Sequence, residues 1–433
     1  MMSLPPDLTV LLACIRFQLG TITASEVTNL LTPVLNWDCL VQTAIAQGVM
    51  PLLYESLKAI GTIEGTDNAP PLVQHSVMMQ LQHLHRMNGL NNLSQTKELL
   101  KILDGLDKAN IEAIAFKGSV LAAFAYGNIA LRQFNDLDIF VRQRDFWQAK
   151  AVLMSHGYLS PYLDSADEME GFDRYLQISL SNRNAEATMF GRQFQPSLLH
   201  SNPERSIDLH WGIPPRILWK SDGFDLLWEN LARVDLMGRS IQTFSLEATL
   251  VIQCLNVAKE PWKRSFKQVC DAAQIIHRHS TEIDWHSALE IASALRCQRL
   301  FLLGLYQTHR LLHIQLPLEI QTQFDCDPHM SEWQFAEDRC FSMFQPMWWW
   351  EYNARFHTLD RWWDGLFITL HFLPIGLKWL LSLLKHLIVP NDRDREFYPL
   401  PKALFFLYYL IRPIRLLLKF SPVDKSVTIE QQL

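Results

Sequence analysis

The stretch FKGSVLAAFAYGNIALRQFNDLDIFV, residues 116–141, decides how the rest of the chain is read. It opens on the end of a short apolar run, Ile111 to Phe116, followed at once by Lys117-Gly118-Ser119. An apolar run that stops at Gly-Ser predicts a strand ending in a turn. Val120 to Tyr126 is small and apolar, and Gly127-Asn128 closes it as a short helix. Leu137 to Val141 is a second strand. Strand side chains alternate, so Asp136 and Asp138 share one face while Leu137, Ile139 and Val141 anchor the other in a core. Two acids at i and i+2 on a rigid strand repel each other unless a cation lies between them. Mg²⁺ suits that pattern, because it binds through one or two carboxylates plus substrate phosphates.

Working outward, Ser206 to Trp211 repeats the logic as a third strand. Ile207, Leu209 and Trp211 alternate with Ser206, Asp208 and His210, so Asp208 is placed to complete a three-carboxylate cluster. Upstream, Gly118 permits close backbone approach and Ser119 is expected to cap the helix that follows. Free N–H groups at such a turn attract a triphosphate, with Lys117 and Arg132 as flanking positive charge.

The flanks read as helices. Residues 7–60 show Leu8, Leu11 and Leu12, then Leu40, Ala44, Ala46 and Val49, at helical spacing. Residues 61–70, GTIEGTDNAP, are a loop, and a long helix is expected from Pro71 to about Ala109. Arg144 to His156 is helical and ends at Gly157. From Ser245 the helical pattern returns, with Leu246, Leu250, Cys254 and Val257 on one face. Asp284 is an N-cap for a helix carrying Trp285, Ala288, Leu289, Ala292 and Leu295 inward. The expected fold class is α+β, a small mixed sheet flanked by helical regions. Its expected divisions are 1–109 (helical), 110–243 (core), 244–345 (helical) and 346–433 (an aromatic, basic, apolar tail).

The segment 116–141 resembles the core motif of the nucleotidyltransferase superfamily, a Gly-Ser turn followed by a strand bearing Asp-x-Asp. More narrowly, it is similar to the family of uncharacterised bacterial nucleotidyltransferases. Asp208-Leu209-His210-Trp211, Lys259 to Trp262 with Asp271, and the terminal FFLYYLIRPIRLLLKF (405–420) extend the resemblance from about residue 10 to 420. The interval from Gly-Ser to Asp136 is longer than in the commonest members of the wider superfamily. The resemblance implies that Asp136 and Asp138 hold two Mg²⁺ ions. Asp208 would share one and lower the pKa of an acceptor hydroxyl or take its proton. Lys117, Gly118, Ser119 and Arg132 would hold the β and γ phosphates. The implied activity is transfer of a nucleoside monophosphate from an NTP, ATP first among them, to an unidentified hydroxyl acceptor. The alternative is a silent nucleotide-binding or membrane-peripheral assembly protein, linked to polysaccharide production.

Each residue also has an ordinary structural reading. Asp136, Asp138 and Asp208 would then be solvated strand residues, Arg132 would pair with Asp136 or Asp138, and Lys117 would snorkel. His210 reads as a satisfied, partly buried imidazole rather than a ligand. Trp348 to Trp350, with Trp362 and Trp363, reads as packing.

Composition bounds the rest. The chain has 433 residues, 48% hydrophobic and 19% charged, which excludes a disordered protein. Net charge is −6, yet residues 361–433 hold ten Lys or Arg and six acids, leaving −10 for residues 1–360. An acidic body with its cations confined to the far tail argues against nucleic acid as a partner. The seven cysteines form no CxxC pair, so no zinc ribbon or disulfide framework is expected and a reducing, cytoplasmic setting fits. No signal peptide is read in the first twenty residues. In the tail, the uncharged run 365–377 falls short of the ~20 residues a spanning helix needs. Two readings stand for it: packing onto the body, or peripheral membrane contact through 365–420.

Overall fold

The two alternating strands pair side by side within a five-stranded sheet of strand order β1-β2-β5-β4-β3. Its strands are β1 (Ala113–Ala115), β2 (Asp136–Val141), β3 (Tyr158–Leu159), β4 (Ser197–His200) and β5 (Ser206–His210). β1 runs antiparallel to β2, and β2 runs parallel to β5, with β4 and β3 continuing antiparallel. The structure, a computed structural model, describes residues 6–32, 35–63, 73–159, 197–200, 206–213, 222–259, 266–325 and 407–408.

One face of the sheet is dry. Leu137, Ile139 and Val141 of β2 and Ile207 and Leu209 of β5 are buried. They pack on Leu99, Ile102, Leu103 and Leu106 of the long helix α5 (His75–Lys108), and on Phe146, Ala149 and Leu153 of α7 (Phe146–Ser155). Each such side chain contributes about 1.5–3 kcal/mol on burial, which locks the register of β2. The opposite face is thereby obliged to carry Asp136, Asp138, Phe140, Asp208 and His210. Phe116, Phe140 and Phe244 close one end of it, with ring centroids 5.1–6.3 Å apart.

Helices flank this core in sequence. Four precede α5: α1 (Pro6–Gln18), α2 (Ala24–Thr28), α3 (Trp37–Ala46) and α4 (Met50–Ile63). The four-residue α6 (Gly118–Leu121) leads into a π-helical turn, Ala122–Tyr126, that ends at Gly127. After the sheet come α8 (Leu246–Lys259), α9 (Lys267–Arg278), α10 (Trp285–Ala294), α11 (Gln298–Leu312) and α12 (Leu318–Asp325). Asp284 caps α10 as expected, accepting from the backbone N–H groups of His286 and Ser287 at 3.0 and 3.1 Å. Helix α8 departs from the expected one-sided pattern, because every residue from Ala248 to Ala258 is buried. It is the central rod of the second helical region rather than a surface helix. The α+β class and the small mixed sheet are as the sequence predicts.

Two strands of the sheet and a two-residue hairpin escape the sequence reading. The hairpin joins β6 (Ala232–Leu236) to β7 (Arg239–Thr243). Met237 and Gly238 both take positive φ (56° and 79°), the conformation a tight hairpin needs. β3 and β4 are two and four residues long, too short for a periodicity to declare itself. The chain divides into a unit of residues 1–344 and a second of residues 345–433. The expectations for the tail, its tryptophans and its membrane contact lie outside the described residues, as do most of the 61–70 loop and Trp262. No described helix is long and apolar enough to cross a membrane.

Candidate active site

Parallel pairing of β2 with β5 sets Asp138 opposite Asp208 in register. The two carboxylates therefore meet on the face left free by the dry core. Both residues are buried, Asp138 3% and Asp208 8% exposed. His210, two residues along β5, joins them, and ligand atoms of all three lie within 4.8 Å of one another. The His210 Nε2 is 2.8 Å from Asp138 Oδ1. Lys117 Nζ donates to the same oxygen at 2.7 Å. Asp138 Oδ2 and His210 Nδ1 are buried with no hydrogen-bond partner among the described residues. A buried carboxylate oxygen with no donor costs free energy unless something cationic completes it. The donor set fits a divalent ion, with Asp138, Asp208 and His210 as the group that could hold it.

Electrostatics agree with the geometry. Burial alone would raise the Asp138 pKa, but the Lys117 charge and the His210 hydrogen bond hold it well below the ordinary carboxylate range. Burial works against the Lys117 ammonium too, yet the Asp138 carboxylate keeps its pKa raised. His210 is pushed down by burial, against the pull of Asp138, which favours the neutral imidazole that ligates metals. Asp136 stands apart from this trio. It is exposed, pairs in register with Ser206, and has its pKa raised by desolvation first and the Asp138 charge second.

Gly118 takes φ +52°, and a Cβ there would lie 3.3 Å from the Asp136 carbonyl oxygen and 3.4 Å from the Phe134 ring. The Gly-Ser turn is thus pressed against the backbone that enters β2, which a side chain would oppose. Lys117, not Ser119, occupies the N-cap position of α6, with no side-chain cap hydrogen bond. Ser119 lies inside the helix, fully buried, with its Oγ unpartnered among the described residues. Its expected capping role is therefore corrected: the turn starts one residue earlier because Gly118 supplies the positive φ.

Arg132 also sits differently from the sequence expectation. Its guanidinium is 5% exposed and grips Asp271 of α9 through two hydrogen bonds, Nε to Oδ1 at 2.8 Å and Nη2 to Oδ2 at 2.9 Å. Tyr126 donates its hydroxyl to Asp271 Oδ1 at 2.8 Å. Pairing with the strand acids does not describe this arrangement. Arg132 instead ties the segment before β2 to the second helical region. The same segment is held from α5, where Asn92 donates to the carbonyls of Ile129 and Arg132 at 2.6 and 2.7 Å. Asn88 donates to the Ala130 carbonyl at 2.8 Å. Gln133 accepts from the Met50 backbone N–H at 3.2 Å, and its carbonyl accepts from Lys267 Nζ at 3.0 Å. The long interval between Gly-Ser and Asp-x-Asp is thus clamped from three sides.

Two residues of the site were given no functional role from sequence. From sequence His210 reads as a satisfied imidazole, and its i+2 spacing from Asp208 is the available signal. Lys267 had none, because its approach depends on how α9 packs. The Lys267 ammonium lies near enough to the acids for Asp136 and Asp138 to oppose its pKa shift, which burial and then Arg132 carry down to about 8.

A profile of the uncharacterised nucleotidyltransferase family matches residues 33–313, spanning β1, β2, β5 and α9. No curated protein sequence matches the chain. Among solved structures, the antibiotic-resistance factor ANT(2'')-Ia is 13% identical, covering 47% of this chain and 91% of that one, with a TM-score of 0.30. An antigenic nucleotidyltransferase-like protein from Paracoccidioides brasiliensis is 17% identical, covering 47% and 94%, with a TM-score of 0.24. The family profile takes in well over half of the chain, including every strand residue that brings Asp138 to Asp208, and the chain belongs to the uncharacterised nucleotidyltransferase family.

Proposed function

We propose that the protein transfers a nucleoside monophosphate from an NTP, with ATP the first to try, to a hydroxyl acceptor in a Mg²⁺-dependent reaction. The single observation that carries this reading is the in-register meeting of Asp138 and Asp208 beside a buried, unpartnered carboxylate oxygen. Asp138 and Asp208 would hold the inner metal ion, and Asp136, at the exposed edge of the same face, would share in a second with the nucleotide. Bound there, the ions would neutralise phosphate charge and acidify the acceptor hydroxyl. The acceptor oxygen forms a bond to the α-phosphorus, the α–β bridging bond breaks, and pyrophosphate leaves. Asp208 takes the hydroxyl proton. Lys117, with the Gly118 backbone, and Lys267 on the far side would position the β and γ phosphates. Ser119 and Arg132 would act from behind, by packing the turn and holding the segment before β2.

The test is incubation with α-labelled triphosphates, Mg²⁺ and a cell extract, followed by identification of whatever becomes labelled. Label transfer with the parent protein and none with Asp138→Asn is the expected result. Equal labelling by both proteins would sink the reading. Nucleotide binding without any transfer would move it to the silent, nucleotide-binding alternative.

A further inference from the structure

We propose that Asp138, Asp208 and His210 together hold one divalent first-row transition ion, with the His210 ring as a direct ligand, so that this position prefers Mn²⁺ to Mg²⁺. The inference rests on the metal-dependent reading above and names the ion class of its inner position.

Four observations support it. His210 shares the strand face of Asp208 and is 1% exposed, so water has little access to its ring. Its Nε2 lies 2.8 Å from Asp138 Oδ1. That contact is a hydrogen bond, and Lys117 Nζ donates to the same oxygen at 2.7 Å, so an ion seated among the three residues takes the place of these donors at Asp138, whose ligand atoms already lie within 4.8 Å of those of Asp208 and His210. The pair is also incomplete as a hydrogen-bonded unit, since Asp138 Oδ2 and His210 Nδ1 are both buried and unpartnered among the described residues. Phe116 meets the imidazole edge-on, 5.1 Å between centroids, which holds the ring in its plane. Mg²⁺ is a hard ion that takes oxygen ligands and gives up water reluctantly. Replacing one oxygen by imidazole nitrogen favours ions further along the first transition row.

The experiment loads the full-length protein with one equivalent of Mn²⁺ and records pulsed electron paramagnetic resonance. The expected result is nitrogen hyperfine coupling from one histidine, absent in His210→Gln, with Mg²⁺ competing for the site about tenfold or more weakly than Mn²⁺. Loss of affinity in His210→Gln would not decide the matter alone. A residue that merely hydrogen-bonds a ligand also costs about 10–100-fold. Stoichiometric Mn²⁺ without nitrogen coupling, or coupling unchanged in His210→Gln, would overturn this inference and leave the proposed function standing. Absence of Mn²⁺ and Mg²⁺ binding alike would remove both. Where His210→Gln does not fold, Asp208→Asn takes its place, and a coupling that survives it counts against the site.

Discussion

Two buried aspartates, Asp138 on β2 and Asp271 on α9, are each paired with a cation. Asp271 is saturated: both carboxylate oxygens accept from Arg132, Tyr126 adds a third hydrogen bond, and nothing of the side chain reaches water. Asp138 is not. Lys117 and His210 crowd one oxygen and the other is left without a donor among the described residues. Lys117 itself keeps 21% of its side chain exposed, so it can turn toward a ligand as Arg132 cannot. A closed ion pair holds structure, whereas an open one leaves capacity for chemistry. The same pair of charges therefore serves two ends, and the number of unfilled hydrogen-bonding positions tells them apart.

That contrast can be broken by experiment. The largest effect is expected from Asp271→Ala, which strands the Arg132 guanidinium in a dry site and should cost about 3–5 kcal/mol of stability by chemical denaturation. Asp138→Asn should cost under about 2 kcal/mol, because Lys117 can reach water, while lowering divalent-ion affinity about 100-fold or more in calorimetric titration. If the two variants lose equal stability, the distinction between closed and open pairs fails.

A smaller effect is tied to pH. The Lys267 pKa lies at about 8, below its ordinary value, so its charge is present at neutral pH and lost as pH rises through 8. Mg²⁺-dependent ATP affinity should therefore fall between pH 7 and 9, and stay level in Lys267→Arg, which remains charged. Folding stability should move the other way. The folded state binds this proton less tightly than the unfolded chain, so the Lys267 contribution improves from pH 8 toward about 10.5. The smallest change belongs to Ser119→Ala. Its hydroxyl is buried and unpartnered, so stability should shift by less than about 1 kcal/mol, and nucleotide affinity should hold. A large loss of ATP binding in that variant would return Ser119 to the phosphates.

The strand face of the acids and the turn before them are legible in the sequence. Asp136, Asp138 and Asp208 declare themselves by alternation against apolar neighbours, and Gly118 by its place between an apolar run and a helix. The ordinary structural reading of Arg132, a pair with Asp136 or Asp138, names the wrong carboxylate, since its partner is Asp271. A guanidinium before an Asp-x-Asp strand has several carboxylates within plausible reach, and sequence spacing cannot choose among them. The strands β3 and β4 were missed because strands of two to four residues carry no period.

Local alternation and turn chemistry, which act over a few residues, were enough for the sequence alone to determine the strand face of the acids and the turn at Gly118. Tertiary structure decided the rest. Only the β2–β5 register sets Asp138 against Asp208, and only the packing of α9 delivers Asp271 to Arg132 and Lys267 to Gln133. Those contacts join residues 70 to 139 positions apart, where partner choice depends on the summed burial of whole elements rather than on any local pattern.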